Sequence, residues 1–206
     1  MMDSRNLLIF TVYLIVVVYI FYQAYKSLGN QVVIALNPAD LNRQLEEQDL
    51  KNIIEIKFKF RPRYRLDELT KLLISMKNIS QEETIRVDWD ESSITDFDKV
   101  TGRVIRLTPG MTDIPQSQAV SIIVPGRIIE EELSDDKAIL GPLFKADKLK
   151  KAIGKSDPFY LRLFFTVSNP VGAKRAYTLR CQFIPKKLHW AKALTLELKP
   201  KPSKKK

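Results

Sequence analysis

The sequence predicts an all-β protein behind a membrane anchor: a single N-terminal transmembrane helix, then an antiparallel β-sandwich with one or two short helices. Three observations carry that expectation. Residues 7–22 (LLIFTVYLIVVVYIFY) contain no charge, no proline and no glycine. From Asn52 onward apolar residues recur with a period of two, in short runs separated by turn residues. The roughly 180 residues after the apolar run match the size of one domain with one core.

The anchor, residues 1–26, is bounded by Leu7 and Tyr22 and is apolar on every side, so water is the wrong solvent for it. Extended to Tyr25 it reaches 19 residues, which at about 1.5 Å each nearly crosses a hydrocarbon layer roughly 30 Å thick. Tyr22 and Tyr25 suit the interfacial aromatic belt, and Arg5 and Lys26 bracket the run. A cleavable signal would want a shorter apolar stretch and a small-x-small site, which AYKSLGN does not offer. A core helix is disfavoured because most of the run is β-branched or aromatic. The predicted location is therefore a membrane, single-pass, with the bilayer as first partner. Flanking charge is nearly tied, Arg5 and the terminal amine against Lys26, and the slight excess before the span favours a domain outside the cytoplasm.

Residues 27–51 read as a juxtamembrane linker holding the domain off the bilayer. Within it QVVIAL (31–36) is either a short strand or a continuation of the span. Asn37-Pro38 opens a short helix as N-cap and first helical residue, with Leu41 and Leu45 on one face. The sandwich spans 52–198. Ile54, Ile56, Phe58 and Phe60 alternate with charged residues, as do Leu72, Ile74 and Met76, then Ile85, Val87 and Trp89. The polar turn 78–82 between the last two makes them a predicted hairpin. Val104 to Leu107 and Val120, Ile122 and Val124 are further strands, each ended by Pro-Gly. Glu130, Glu131 and Glu132 with Asp135 and Asp136 read as a solvated acidic loop. Lys145 to Ile153 is helical, with Gly154 as its C-terminal cap. Phe159 to Val167 and Tyr177 to Phe183 form the clearest hairpin, stopped by Pro185.

The segment Leu72-x-Ile74-x-Met76-x-Asn78-x-Ser80, then Ile85-x-Val87-x-Trp89-Asp90, Ser93-Ile94-Thr95-Asp96 and Arg103-Val104-Ile105, with Val124-Pro125-Gly126 beyond, resembles uncharacterised bacterial membrane-anchored immunoglobulin-like domains. The resemblance covers about residues 52–185 and consists of turn chemistry. It implies an immunoglobulin-like sandwich and no reaction. The antibody-type subfamily is not matched: Cys181 has no partner cysteine, and Tyr177 lies four residues before it.

The net charge is +10, but Lys199, Lys201, Lys204, Lys205 and Lys206 supply five of it, leaving +5 elsewhere. Residues 199–206 are a basic disordered tail, a lipid clamp if it meets an anionic leaflet and otherwise a solubilising terminus. One cysteine excludes an internal disulfide, and one histidine, His189, excludes a multi-histidine metal site. Asp88, Asp90, Asp96 and Asp98 are the candidate cation ligands, a hard cation wanting six to eight oxygens. They lack a central glycine and alternate like the wet face of a strand, so no metal is assigned. Phe60-Arg61-Pro62-Arg63-Tyr64-Arg65 interleaves aromatics with arginines, suited to stacking on bases or to a headgroup surface; membrane tethering argues against a nucleic-acid partner. Asn78-Ile79-Ser80 is formally a glycosylation acceptor. No phosphate-binding glycine loop, nucleophile elbow or zinc-protease helix occurs.

These features predict a non-enzymatic module with no catalytic residue and no cofactor, which presents its β domain to another membrane or envelope protein. A ligand- or cation-binding sensor of the envelope is the alternative. If residues 7–22 are an uncleaved anchor, the intact chain stays with the membrane pellet through carbonate and high-salt washes. A soluble form beginning near Ser27 would contradict this.

Overall fold

The computed structural model describes residues 4–29, 31–111, 116–139 and 141–188, without the side chains of 4–5 and 24–29. The apolar run lies in helix α1 (Ser4–Gly29). Its 18-residue stretch Asn6–Gln23 has a mean hydropathy of 2.0, and none of it is buried against the rest of the chain. Strand β1 (Gln31–Leu36) begins two residues after α1 ends.

The strand alternative for 31–36 is the one adopted. β1 pairs antiparallel with the last strand, Ile34 opposite Pro185 and Leu36 opposite Phe183, and Val32 and Ile34 are buried. Helix α2 (Pro38–Glu47) follows the predicted chemistry: the Asn37 side chain accepts from the Asp40 N–H, and Leu41 and Leu45 pack into the core. Residues 31–50 thus belong to the domain and are not a stand-off linker. Their burial, down to Leu50 at 0% exposure, is what the polar composition of the segment concealed.

The remaining elements are β2 (Ile54–Lys59), β3 (Tyr64–Arg65), β4 (Leu72–Asn78), β5 (Thr84–Thr95), β6 (Thr101–Leu107), β7 (Ser121–Ile123), β8 (Ile128–Asp135), α3 (Ala146–Lys155), β9 (Phe159–Ser168) and β10 (Lys174–Lys187). Among the described residues every pairing is antiparallel, in the order β2-β4-β8-β6-β5-β9-β10-β1-β3, with β7 on β5. A flat sheet of that order would hold its outer strands about 38 Å apart, at roughly 4.8 Å per strand. Yet β2 and β3 are those outer strands, and the five steps from Lys59 to Tyr64 reach at most about 18 Å. The sheet must therefore curl. Phe58 of β2 meets Phe183 of β10 edge-on at 4.8 Å across the interior.

The result is a curled half-barrel. The two layers expected of an immunoglobulin-like sandwich are joined along β6, which pairs β5 through 101–103 and β8 through 104–107. The inner faces enclose Trp89, Phe159, Phe165 and Phe183, all fully buried, with Phe159 stacked on Phe183 at 4.9 Å.

The inward sets Leu72/Ile74/Met76, Ile85/Val87/Trp89 and Phe159 to Val167 are buried as predicted, and β9 and β10 form the predicted hairpin. Other expectations are corrected. β4 and β5 do not pair; β4 lies between β2 and β8, and β5 between β6 or β7 and β9. Asn78 explains the crossing, because its amide donates to the Glu83 and Ile123 carbonyls and ties the connection into both layers. The acidic run is strand β8, not a loop: Glu130 pairs with Lys59, Glu132 with Lys71 and Glu131 with Arg106. β10 continues through Pro185, beyond the end of β9, where it has β1 alone as neighbour and the missing N–H is tolerated. α3 runs past Gly154 to Lys155 and closes on Ser156 in the left-handed conformation. The tail 199–206, with its five lysines, lies outside the described residues, as does His189.

Trp89 is buried at 0% exposure and its indole donates to Ser121 Oγ at 3.0 Å. Trp89→Ala is expected to cost about 3–5 kcal/mol in urea denaturation of the detergent-solubilised chain. Trp89→Phe, which keeps the bulk but loses the donor, costs about 1 kcal/mol. Equal losses would place the stabilisation in the hydrogen bond rather than in the packing.

Candidate functional site

The polar side chains of the interior gather where β6 leaves β5. β5 takes five steps from Asp88 to Ser93 while β9 takes two, from Phe164 to Arg162. The bulge is held by Asp88, whose carboxylate accepts from the Asp90 and Glu91 N–H groups, and by Ser92 Oγ, which accepts from the Phe164 N–H. Beyond this point β6 pairs with β8, leaving its own backbone unpaired on the β5 side. The Gln118 side chain fills that place. It accepts from the Arg106 N–H at 2.7 Å, and donates to the Val104 carbonyl at 2.7 Å and to Asp90 at 3.1 Å. One amide thus substitutes for a stretch of missing strand.

Asp90 also accepts from the Gln118 N–H and Ser117 Oγ and faces Arg103 at 3.4 Å. Burial pushes its carboxyl upward, but the donors from Gln118 and Ser117 and the Arg103 charge outweigh that and hold it below the ordinary value. Deeper in, Glu131 points to the interior and accepts from Ser121 Oγ at 2.9 Å and Arg106 at 3.2 Å, continuing the line from Trp89. Inward charges of this kind beside an open sheet margin discourage mispairing.

The four candidate cation ligands do not converge. Asp88 caps the bulge and Asp90 serves Gln118 and Arg103. Asp96 and Asp98 share Lys148 of α3 at 3.0 and 2.6 Å, with Asp96 also accepting from the Asp98 and Val100 N–H groups. Among the described residues no group of three or more His, Cys, Asp or Glu side chains is placed to hold a metal. Cys181 is fully buried and its thiol is pushed up to about 12, mainly by burial, with the Asp40 charge adding to it, so it is no nucleophile. Asn78 is likewise at 0% exposure with both amide hydrogens engaged, so the folded domain offers no glycosylation acceptor there. Leu7 and Tyr22 are exposed along α1.

The sequence did not single out Asp135 or Gly102. Asp135 ends β8 facing inward, and a Cβ on Gly102 would lie 2.2 Å from its carboxylate; only glycine leaves that room. Burial and the adjoining Asp136 carboxyl push Asp135 up to about 6, and one Asp136 oxygen is buried without a partner. On the outer face a cleft of about 410 Å³ is lined by Ser93, Thr95, Thr101, Tyr160, Arg162 and Arg180. There Arg162 and Arg180 are cross-strand neighbours, with Arg180 stacked over Tyr160 at 5.0 Å.

The other unusual surface is β7. Its inward residues are Ser121 and Ile123, one register from the predicted apolar set, so Val120, Ile122 and Val124 face solvent. Ile122 is 52% exposed, and Ile128 beyond the Pro125-Gly126 turn is 55% exposed. Among the described residues β7 pairs with β5 alone, so no described strand covers its second edge, which lies beside an apolar face.

No family model and no curated protein matches the chain. The X-ray structure of a Northeast Structural Genomics Consortium target is similar over 78% of this chain and 89% of its own, at 10% identity and a TM-score of 0.26. A likeness of that size carries no argument about fold or function.

Asp135 has a folded pKa above that of a free carboxyl, so the folded state holds a proton that the unfolded chain has already released between about pH 4 and 6. Its contribution to stability therefore falls as pH rises through that window. Asp135→Asn, which cannot ionise, should match the parent near pH 4 and exceed it in stability above pH 7. Chemical denaturation across that range measures the difference, and parallel profiles would exclude a raised Asp135.

Proposed function

We propose that this chain is a single-pass membrane protein whose curled β domain is a docking module for another membrane or envelope protein and performs no catalysis. The observation that carries the reading is the margin formed by β7. A short strand whose outer side is apolar, with Ile122 exposed between Val120 and Val124, and whose second edge no described strand covers, is suited to accept an extended segment by strand addition. The exposed apolar length of α1 supports the anchor, and the excess of flanking positive charge before the span favours the domain on the extracytoplasmic side.

Two features argue for binding over chemistry. The carboxylates of the bulge and of the β5–β6 turn are occupied by the chain's own donors, the latter by Lys148 of α3. The thiol of Cys181 is sealed in the core.

Mild-detergent extracts separated by native electrophoresis test the reading. The chain is expected in a complex larger than a monomer, reduced to the monomer by Ile122→Arg, which keeps the fold but charges the apolar face. Val171→Arg, at a loop residue 91% exposed, is expected to leave the complex intact. A complex indifferent to Ile122→Arg would remove β7 as the docking site.

A further inference from the structure

The arginine-rich segment 60–65 has no part in the β7 surface. Register settles where it lies. Gln31, two residues after α1 ends, is opposite Arg65 on β3, and Val32 is opposite Tyr64 on one side and Lys187 on the other. Arg63 donates to the Gln31 side chain at 3.4 Å, and the Leu188 N–H donates to the Gln31 carbonyl at 3.1 Å. The chain beside the helix exit thus has Arg63 and Arg65 on one side and Lys186 and Lys187 on the other. Among the described residues Arg65 has an exposed 3.5 Å pair with Asp67, and its N–H donates to Glu68.

Covalent geometry bounds the distance to the end of α1. Two residues of chain span about 7 Å and three about 10 Å, and one strand spacing adds about 5 Å. Arg65, opposite Gln31, therefore lies within roughly 12 Å of Gly29, and Lys187, opposite Val32, within roughly 15 Å. Gly29 is itself six residues, about 9 Å, beyond the apolar stretch that ends at Gln23. The loop is also pre-formed: the Arg61 N–H donates to the buried Tyr64 hydroxyl at 2.9 Å.

We propose that this collar is a docking surface for the acidic lipid headgroups of the leaflet that the domain faces, and that it seats the domain against the bilayer. The proposal rests on α1 being a membrane anchor. Arginine forks and lysine ammoniums at that depth match phosphodiester oxygens, and a domain joined to its anchor by so short a link brings the collar to the headgroups without further ordering.

The test uses the full chain in nanodiscs of phosphatidylcholine, with or without about 30% phosphatidylglycerol, followed by hydrogen exchange. Exchange in segments 60–65 and 184–188 is expected to slow several-fold with phosphatidylglycerol. That protection should vanish at about 0.5 M salt and in the triple variant R65Q/K186Q/K187Q. Exchange in β9 is the fold control and should not change. Equal exchange in both lipids overturns the collar while leaving the anchor standing. Protection reproduced by soluble glycerol phosphate over phosphatidylcholine would mean a free-phosphate site and overturns the leaflet as occupant. Failure of the chain to enter the discs removes the anchor reading and this inference with it.

Discussion

The shape of this domain depends on one short connection. β2 and β3 lie at opposite ends of the strand order, and residues 60–63 are all that separates them. That length cannot cross a flat sheet of nine strands, so the sheet rolls until its ends meet, and β6 becomes the shared corner of the two layers. The apolar seam of Phe58, Phe60 and Phe183 follows from this curl, with ring centroids 4.8–6.2 Å apart. The same connection carries the arginines to the helix exit, so one constraint sets both the core and the charge distribution.

A rolled sheet that does not close has margins to manage. At the β7 margin the divergence of β6 from β5 strands backbone groups, which Gln118 satisfies, and inward charges at Glu131 and Arg106 meet Ser121 and the Trp89 indole. Each polar group buried there has an identified partner, consistent with the penalty of roughly 1–3 kcal/mol for leaving one unpaired. The outer-face pairs of β8, Glu130 with Lys59 and Glu132 with Lys71, are half-exposed and contribute little to stability individually. Their effect is on register, since an acidic strand placed between two others is acceptable only where basic partners stand alongside.

Placing β1 in the sheet directly after α1 has a functional consequence. A domain on a long linker samples a wide volume, whereas on the proposed reading of α1 as an anchor this one would be confined to the surface of the bilayer. A partner docking on β7 as proposed would then be held at a similar height, which suits another membrane protein better than a freely diffusing one. The collar and the β7 margin are separate surfaces, so lipid contact and partner contact need not compete.

Strand identity was legible in the sequence wherever a strand has one wet face and one dry face. Ile85/Val87/Trp89 and the β9–β10 hairpin, like the Asn37 cap of α2, are local matters of period and capping. The apolar character of 7–22 was equally local. What failed was everything decided by which strand lies beside which. The predicted hairpin of β4 and β5 is crossed because Asn78 bonds to residues far along the chain. β8 is a strand although its composition reads as a loop, because Lys59, Lys71 and Arg106 come from other elements. Ser121 points inward in place of Val120 and Ile122 because Trp89 and Glu131 await its hydroxyl, and a polar residue facing a polar partner leaves no hydrophobic period to read. The surfaces on which function is proposed belong to this second kind. The sequence alone settled the elements of clear period and the apolar helix, since those follow from neighbours along the chain, while strand β8, the curl, the β7 margin and the basic collar arise from contacts between distant residues that only the folded chain brings together.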